Sequence, residues 1–346
     1  MMKDFAEYKK LGEPDKLAKS EIWQAAIGLQ QVDGLTPSEY LIKTAKRNIE
    51  GELSFYQVKD SINSYYESIP ESESCDRIEE ADKVSARIAE ILSEQTFTFS
   101  PAEYIAIHGR LFAGILDDKI AGKVRDYNIK KDEWVLNGDI VLYGSADTIL
   151  PTMDYDFDRE KAFKYKGLNQ QEIVDNIIKF ISSVWQIHPF AEGNTRVTAV
   201  FAIKYLRTLG FNVDNEQFAQ HSLYFRNALV RANYNNVSID VYATMEYIDK
   251  FFDNLLFGGK HILRNRDLQV GTKKAATTTP KKKTEKTRDR VLELIAKCPD
   301  ISVAEMGKKM GLSAAGARWN IEQLKSEGVI RRVGARKLGR WEIIKK

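Results

Sequence analysis

His188-Pro189-Phe190-Ala191-Glu192-Gly193-Asn194-Thr195-Arg196 decides how this chain is read. These few residues hold an imidazole, a carboxylate, a Gly-Asn turn and a guanidinium. Apolar residues at helical spacing flank them, with Ile173, Val174, Ile177, Ile178, Ile181, Val184 and Trp185 before and Val197, Val200, Phe201, Ile203 and Leu206 after. The polar residues therefore fall in a short break between two helices that must each bury an apolar face. The second helix begins at the Gly-Asn turn, so its unpaired N–H groups and the positive end of its dipole face the break. That is a seat for phosphate, and the stretch reads as a nucleotide site.

Working outward, 346 residues imply two or three folding units. Apolar and charged fractions are ordinary for a globular chain. No run of about 18 apolar residues is present, and the N-terminus lacks the apolar core of a signal peptide. Cys75 and Cys298 are too few and too distant in sequence for a disulfide framework, and read as incidental thiols of a reducing compartment. A cytoplasmic location without membrane contact is the expectation. The net charge of +3 hides an asymmetry. Beyond residue 272 the chain carries roughly +12, leaving about −9 before it. A polyanion partner such as nucleic acid suits the tail and not the body.

The chain reads as mainly α. Residues 1–70 form a small helical unit: Trp23 to Val32 is amphipathic and stops at Asp33-Gly34, and Thr36-Pro37-Ser38-Glu39 opens the next helix. Residues 71–265 are the body. Ser100-Pro101-Ala102-Glu103 caps a helix on whose apolar stripe His108 reads as a packed histidine at the surface edge. Trp134 to Tyr143 brackets Asn137-Gly138 with apolar residues, a hairpin signal. Asn169-Gln170-Gln171-Glu172 caps the helix that delivers His188, and a last helix runs from about Ser238 to Leu256. Residues 266–285 are lysine-rich and almost free of apolar side chains, a flexible linker.

In register, His188, Phe190, Glu192, Gly193, Asn194 and Arg196 match the signature His-x-Phe-x-Asp/Glu-Gly-Asn-x-Arg, and the stretch resembles the Fic (Fic/Doc) family. The resemblance implies a Fic-type helical bundle and a protein adenylyltransferase. Such an enzyme moves AMP from ATP to a Ser, Thr or Tyr hydroxyl and releases pyrophosphate. His188 would be the general base, with an ordinary pKa near working pH. Glu192 would hold Mg²⁺ through a hard oxygen. Gly193 would let the backbone approach the phosphates, Asn194 would donate to the α-phosphate, and Arg196 would offer a bidentate fork. Phe190 would point into the core. Many relatives carry a second Arg three residues on. Here that position is Ala199, and Arg231 is the candidate substitute for binding the nucleotide.

The resemblance also implies a β-hairpin flap that registers the target by strand addition, here Gly122, Arg125, Val135, Leu136, Val141 and Leu142. Residues 26–53 are similar to the VbhA type of antitoxin, a small helical partner that silences Fic enzymes with a glutamate. Asp33 stands in for that glutamate, so toxin–antitoxin regulation is expected to use other contacts or to be weaker. Family analogy gives a type II topoisomerase subunit or the chain itself as target, and association between copies is a further expectation. Two other readings stay open: a transcription regulator whose Fic body senses nucleotide, and transfer of a different phosphate-containing moiety.

Residues 286–346 resemble a winged helix-turn-helix domain. Ser302-Val303-Ala304-Glu305 caps one helix, Ser313 to Leu324 is the recognition helix, and Val329–Val333 with Gly339–Ile344 forms the wing. Arg318 and Asn320 are the expected base readers, and Arg331, Arg332, Arg336 and Arg340 the expected phosphate contacts.

Overall fold

The computed structural model describes residues 5, 7–8, 13–69, 76–213, 215–271, 290–299, 301–310, 312, 314–326, 328–333 and 340–344. They divide into two compact units, Met1–Gly271 and Thr272–Lys346. The first is helical: α1 Pro14–Gly28, α2 Glu39–Ile49, α3 Phe55–Ser68, α4 Asp76–Ser93, α5 Pro101–Phe112, α6 Ile149–Ala162, α7 Gln170–Ile187, α8 Asn194–Thr208, α9 Asn215–Ala232 and α10 Glu246–Phe257. A 3₁₀ turn, Leu29–Asp33, continues α1 and ends at Gly34 in the left-handed conformation.

The centre of this unit is α8, every residue of which is buried from Asn194 to Leu206. It packs against α4, α5, α7 and the Leu29–Asp33 turn. A helix enclosed on all sides cannot slide without opening the core, so the residues at its N-terminus are fixed in space. Its neighbours are stopped by the caps read from the sequence. Ser100 accepts from the Glu103 N–H, and Asn169 and Glu172 form a reciprocal capping box before α7. One cap moves: the start of α2 is held by Ser38, whose hydroxyl accepts from the Leu41 N–H at 3.1 Å, two residues beyond Thr36.

Residues 14–68 are not a separate body. Trp23, Leu29, Leu41, Ile49, Val58 and Ile62 belong to the same core cluster as Phe112, Trp185 and Phe201. The closest seam is α1 on α9, where a Cβ on Gly28 would lie 2.3 Å from the Ala219 Cα, so only glycine fits. The unit also runs past residue 265. Leu268 and Val270 are buried, and the Val270 N–H donates to the Val135 carbonyl at 2.9 Å. Residues 266–271 thus brace the unit, and the remainder of the expected linker lies outside the described residues.

The Asn137-Gly138 turn forms as expected, with φ of 55° and 89°. It is closed by a single bridge, Asp132 to Ile140, and Trp134–Leu136 coils into a 3₁₀ turn. Burial explains the lost ladder. Val135, Leu136 and Val141 are pulled into the core and cannot alternate in and out as paired strands would. The last helix starts at Glu246, because 236–241 makes its own tight loop closed by a bridge between Asn236 and Val241.

In the second unit residues 290–297 are helical, followed by α11 Val303–Met310, α12 Ala314–Ser326 and the antiparallel strands β1 Ile330–Val333 and β2 Arg340–Ile343, with Ile330 opposite Ile343. Val291, Ile295, Met306, Ile321, Leu324, Ile330 and Trp341 make its core. Ser302 and Glu305 cap α11 reciprocally.

Candidate active site

The motif loop joins α7 to α8 with two left-handed residues, His188 (φ 52°) and Gly193 (φ 74°). A Cβ on Gly193 would lie 2.3 Å from the Phe112 ring, so any side chain there must displace that ring. A left-handed histidine costs on the order of 1 kcal/mol and must be held. Arg125 holds it. Its guanidinium donates to the carbonyls of His188 (2.8 Å), Tyr127 (2.6 Å), Gly144 (2.5 Å) and Ile187 (3.2 Å), and its own N–H donates to Pro189 O at 2.9 Å.

His188 is buried, its ring stacked at 3.9 Å on Tyr143 and edge-on to Trp185. Nδ1 lies 3.2 Å from the Trp185 carbonyl, which can only accept. Nδ1 therefore carries the proton and Nε2 is left as a base. Burial holds the imidazole well below its usual pKa, helped by the cations Lys131, Arg226 and Arg125, while the Trp185 carbonyl pulls the other way. The ring is neutral at neutral pH.

A small cavity of about 30 Å³ opens beside it, lined by Asp33, Lys131, His188, Glu192, Gly193, Asn194, Thr195 and Arg226. Glu192 is half exposed and paired with Lys131 at 3.4 Å. The first N–H groups of α8, on Asn194, Thr195 and Arg196, have no acceptor among the described residues. With the helix dipole behind them they form a favourable seat for an anion.

Three expected roles change. The Asn194 amide is spent on the loop: it accepts from the Phe190 N–H at 3.0 Å and donates to Phe190 O at 2.7 Å, so it shapes the turn. Arg231 faces away from the cavity. It donates to Leu268 O at 3.2 Å and lies over Tyr247. Arg226 takes the place beside His188, held in a bidentate pair with buried Glu133 at 2.7 and 2.8 Å. Among the flap residues, Arg125, Val135, Leu136 and Val141 are buried and Gly122 packs on Gly109, so their side chains cannot touch a target. Leu142 and Trp134 are the exposed apolar side chains there.

Arg196 is buried and fully engaged by the N-terminal half of the unit. Its Nε lies 2.9 Å from Asp33 Oδ2, with the N–H misaligned for a hydrogen bond. Nη2 meets Glu80 at 2.7 Å, Nη1 meets Gln30 at 3.1 Å, and the guanidinium lies over Phe112. Glu80 and Gln30 carry no motif spacing and were invisible in sequence.

His108 is also a site residue. It is fully buried, not at a surface edge, stacked at 3.9 Å on Phe190. Nδ1 accepts from the Gly122 N–H at 2.8 Å, so Nε2 carries the proton and donates to Glu192 O at 3.2 Å. Burial pushes its pKa down to about 4. Neutral His108 thus fixes the backbone of Glu192 against Gly122.

Residues 98–206, which run from just before α5 to Leu206 in the last turn of α8, match the Fic/DOC family. The chain carries a Fic/DOC domain. Fic domains transfer phosphate-containing groups. Residues 285–331 match the family described as winged helix-turn-helix DNA-binding, so the second unit is a winged helix-turn-helix. Three solved structures are similar to the Fic-bearing chain. The N-terminal Fic domain of a VirB-translocated effector from Bartonella sp. AR 15-3 is 17% identical, covering 51% of this chain and 81% of that one with a TM-score of 0.40. The FIC domain of the effector Bep8 from Bartonella sp. 1-1C is 16% identical, covering 54% and 88% with a TM-score of 0.40. A Fic domain containing signaling protein from Bacteroides thetaiotaomicron VPI-5482 is 16% identical, covering 67% and 90% with a TM-score of 0.39. No curated protein matches the sequence. No described helix is long and apolar enough to cross a membrane.

In the second unit Arg318 is exposed on α12, and Asn320 is tied to its own helix by a bond to Gly316 O at 2.8 Å. Arg331 pairs with Glu342 at 2.7 Å, Arg332 lies over the Trp341 ring, and Arg340 is exposed. Arg336 lies outside the described residues.

Proposed function

We propose that the first unit is a protein adenylyltransferase held shut by its own N-terminal segment. One observation carries the reading: a neutral His188 with Nε2 free stands beside the unpaired N–H groups that open α8. Nε2 takes the proton of a Ser, Thr or Tyr hydroxyl, and that oxygen attacks the α-phosphorus of ATP. The bond to the β-phosphate oxygen breaks and pyrophosphate leaves. The α8 N-terminus stabilises charge on the phosphoryl oxygens, and Arg196, once released, binds the phosphate chain. Arg226 adds a cation beside His188. Glu192 fits Mg²⁺ through its half-exposed carboxylate, and the bound ion would neutralise phosphate charge there. Tyr143 and Arg125 keep the imidazole in place.

A cavity of about 30 Å³ has no room for a triphosphate. Asp33 and Glu80 occupy Arg196, so the Leu29–Asp33 turn acts as a fused antitoxin-like inhibitor. The target docks along the exposed backbone and side chains near Trp134 and Leu142. A type II topoisomerase subunit or this chain itself remains the family expectation for the target. The winged helix binds DNA through Arg318 and Arg340, with Arg331 able to exchange Glu342 for phosphate.

Incubation with Mg²⁺ and cell lysate, using α-³²P-ATP or γ-³²P-ATP, tests the reading. Label from the α-position that appears with Asp33→Ala and vanishes with Asp33→Ala/His188→Ala supports it. Label from the γ-position alone means phosphoryl transfer. The closed cavity also favours a regulator that senses nucleotide, which predicts no label and an ATP-dependent change in DNA binding.

A further inference from the structure

A second, larger cavity lies at the opposite end of α8 from the motif, where α1, α4 and the start of α9 meet. Its volume is about 370 Å³. Lys204 lines it and is buried, with Nζ donating to the carbonyls of Ile91 (3.1 Å) and Glu94 (2.7 Å). Arg207 lines it too and donates to Leu92 O at 2.8 Å. Both cations therefore cap the C-terminal carbonyls of α4, which satisfies hydrogen bonds but supplies no full counter-charge.

The carboxylates nearby are spoken for. The Glu94 side chain is held by both guanidinium nitrogens of Arg110, and the charge of Glu21 acts on Arg207. Lys204 has no carboxylate within ion-pair distance among the described residues. Glu94 and Glu103 act on Lys204 from a distance and offset only part of the cost of burying its charge, which an anionic ligand in direct contact would offset further. Asn215, only 2% exposed, contributes to the wall. Phe97 and Phe211 add apolar walls.

We infer that this cavity binds a small organic molecule with one anionic group for Lys204 and an apolar body between Phe97 and Phe211. The anionic group is a carboxylate or a phosphate. The site is independent of the transfer reaction and does not rest on it. It has a structural consequence for it, because α1 is one wall and leads directly into the Leu29–Asp33 turn.

The test is thermal unfolding of the full chain with 4-hydroxyphenylacetate for a carboxylate and glycerol 3-phosphate for a phosphate, each against sodium chloride at equal ionic strength. At a hundredfold excess over Kd, a saturable rise in Tm on the order of 5 °C or more is expected with one of them. Amide exchange across 14–33 slows with it. The rise is lost in Lys204→Met and in Ala18→Trp, which fills the mouth of the cavity without removing a cap. It persists in Arg196→Gln, which separates this site from anion binding at the motif. No saturable rise with either probe overturns the inference. So does an equal rise with the uncharged 4-hydroxyphenylacetamide, a rise lost in Arg196→Gln, or a rise that survives Ala18→Trp.

Discussion

Asp33→Ala isolates the contact proposed to shut the site. Asp33 lies 2.9 Å from Arg196, and its side chain is 35% exposed where that of Arg196 is 2% exposed. An exposed pair is worth about 0.2–1 kcal/mol, and breaking a buried one costs about 3–5 kcal/mol. This pair falls between, and solvent on the Asp33 side places it near the lower figure, at about 1–2 kcal/mol. Since 1.4 kcal/mol is about tenfold, losing Asp33 shifts the open population and the apparent ATP affinity by roughly 5- to 30-fold. Release stays partial, because Glu80 and Gln30 still hold the guanidinium. Isothermal titration of Mg²⁺-ATP into wild type and Asp33→Ala measures the gain, and α-³²P labelling follows in the same ratio. Asp33→Asn keeps the volume and removes the charge, so it separates steric block from ion pairing. An ATP affinity that is unchanged or weaker in Asp33→Ala refutes the reasoning.

Other consequences can be read the same way. Gly193→Ala must displace the Phe112 ring and strain a left-handed position; we expect a loss of about 2–4 kcal/mol in urea unfolding together with loss of transfer. The neutral form of His108 stabilises the fold fully above pH 6.5, and that contribution is lost as pH falls toward about 4. Between pH 6.5 and 5 the loss is about 1.5 kcal/mol from this residue, and a urea midpoint that does not fall with pH would contradict it. His108→Phe keeps the stacking but leaves the Gly122 N–H and the Glu192 carbonyl unpaired, so it should flatten that pH dependence and raise the Mg²⁺ concentration needed for half-maximal transfer. The depressed pKa of His188 puts the acid limb of transfer below pH 6.5, and a limb above that value would mean His188 is not the base. Arg318→Ala in the full chain should weaken DNA binding, with a shallower salt dependence if the contact is to phosphate.

Much of this molecule is legible in a line of residues, because its signals are local. Helix periodicity, the caps at Ser100, Asn169 and Ser302, and the left-handed stop at Gly34 each depend on neighbours a few positions away. The motif is local in the same sense: His188, Glu192 and Gly193 reach one cavity through a single turn, and the free N–H groups follow from where α8 starts. What the sequence could not decide was which partners those residues meet. Arg196 and Asp33 are brought together only because α1 is sealed onto α9 at Gly28, and Glu80 and Gln30 join them with no spacing to announce it. Arg226 displaces Arg231 because only tertiary packing sets which face of α9 looks toward His188. Val135, Leu136 and Val141 kept their apolar character but lost their strand, since burial in the core outweighed pairing at an edge. Local hydrogen bonds fixed where the motif loop lies; the shared core fixed which side chains meet Arg196.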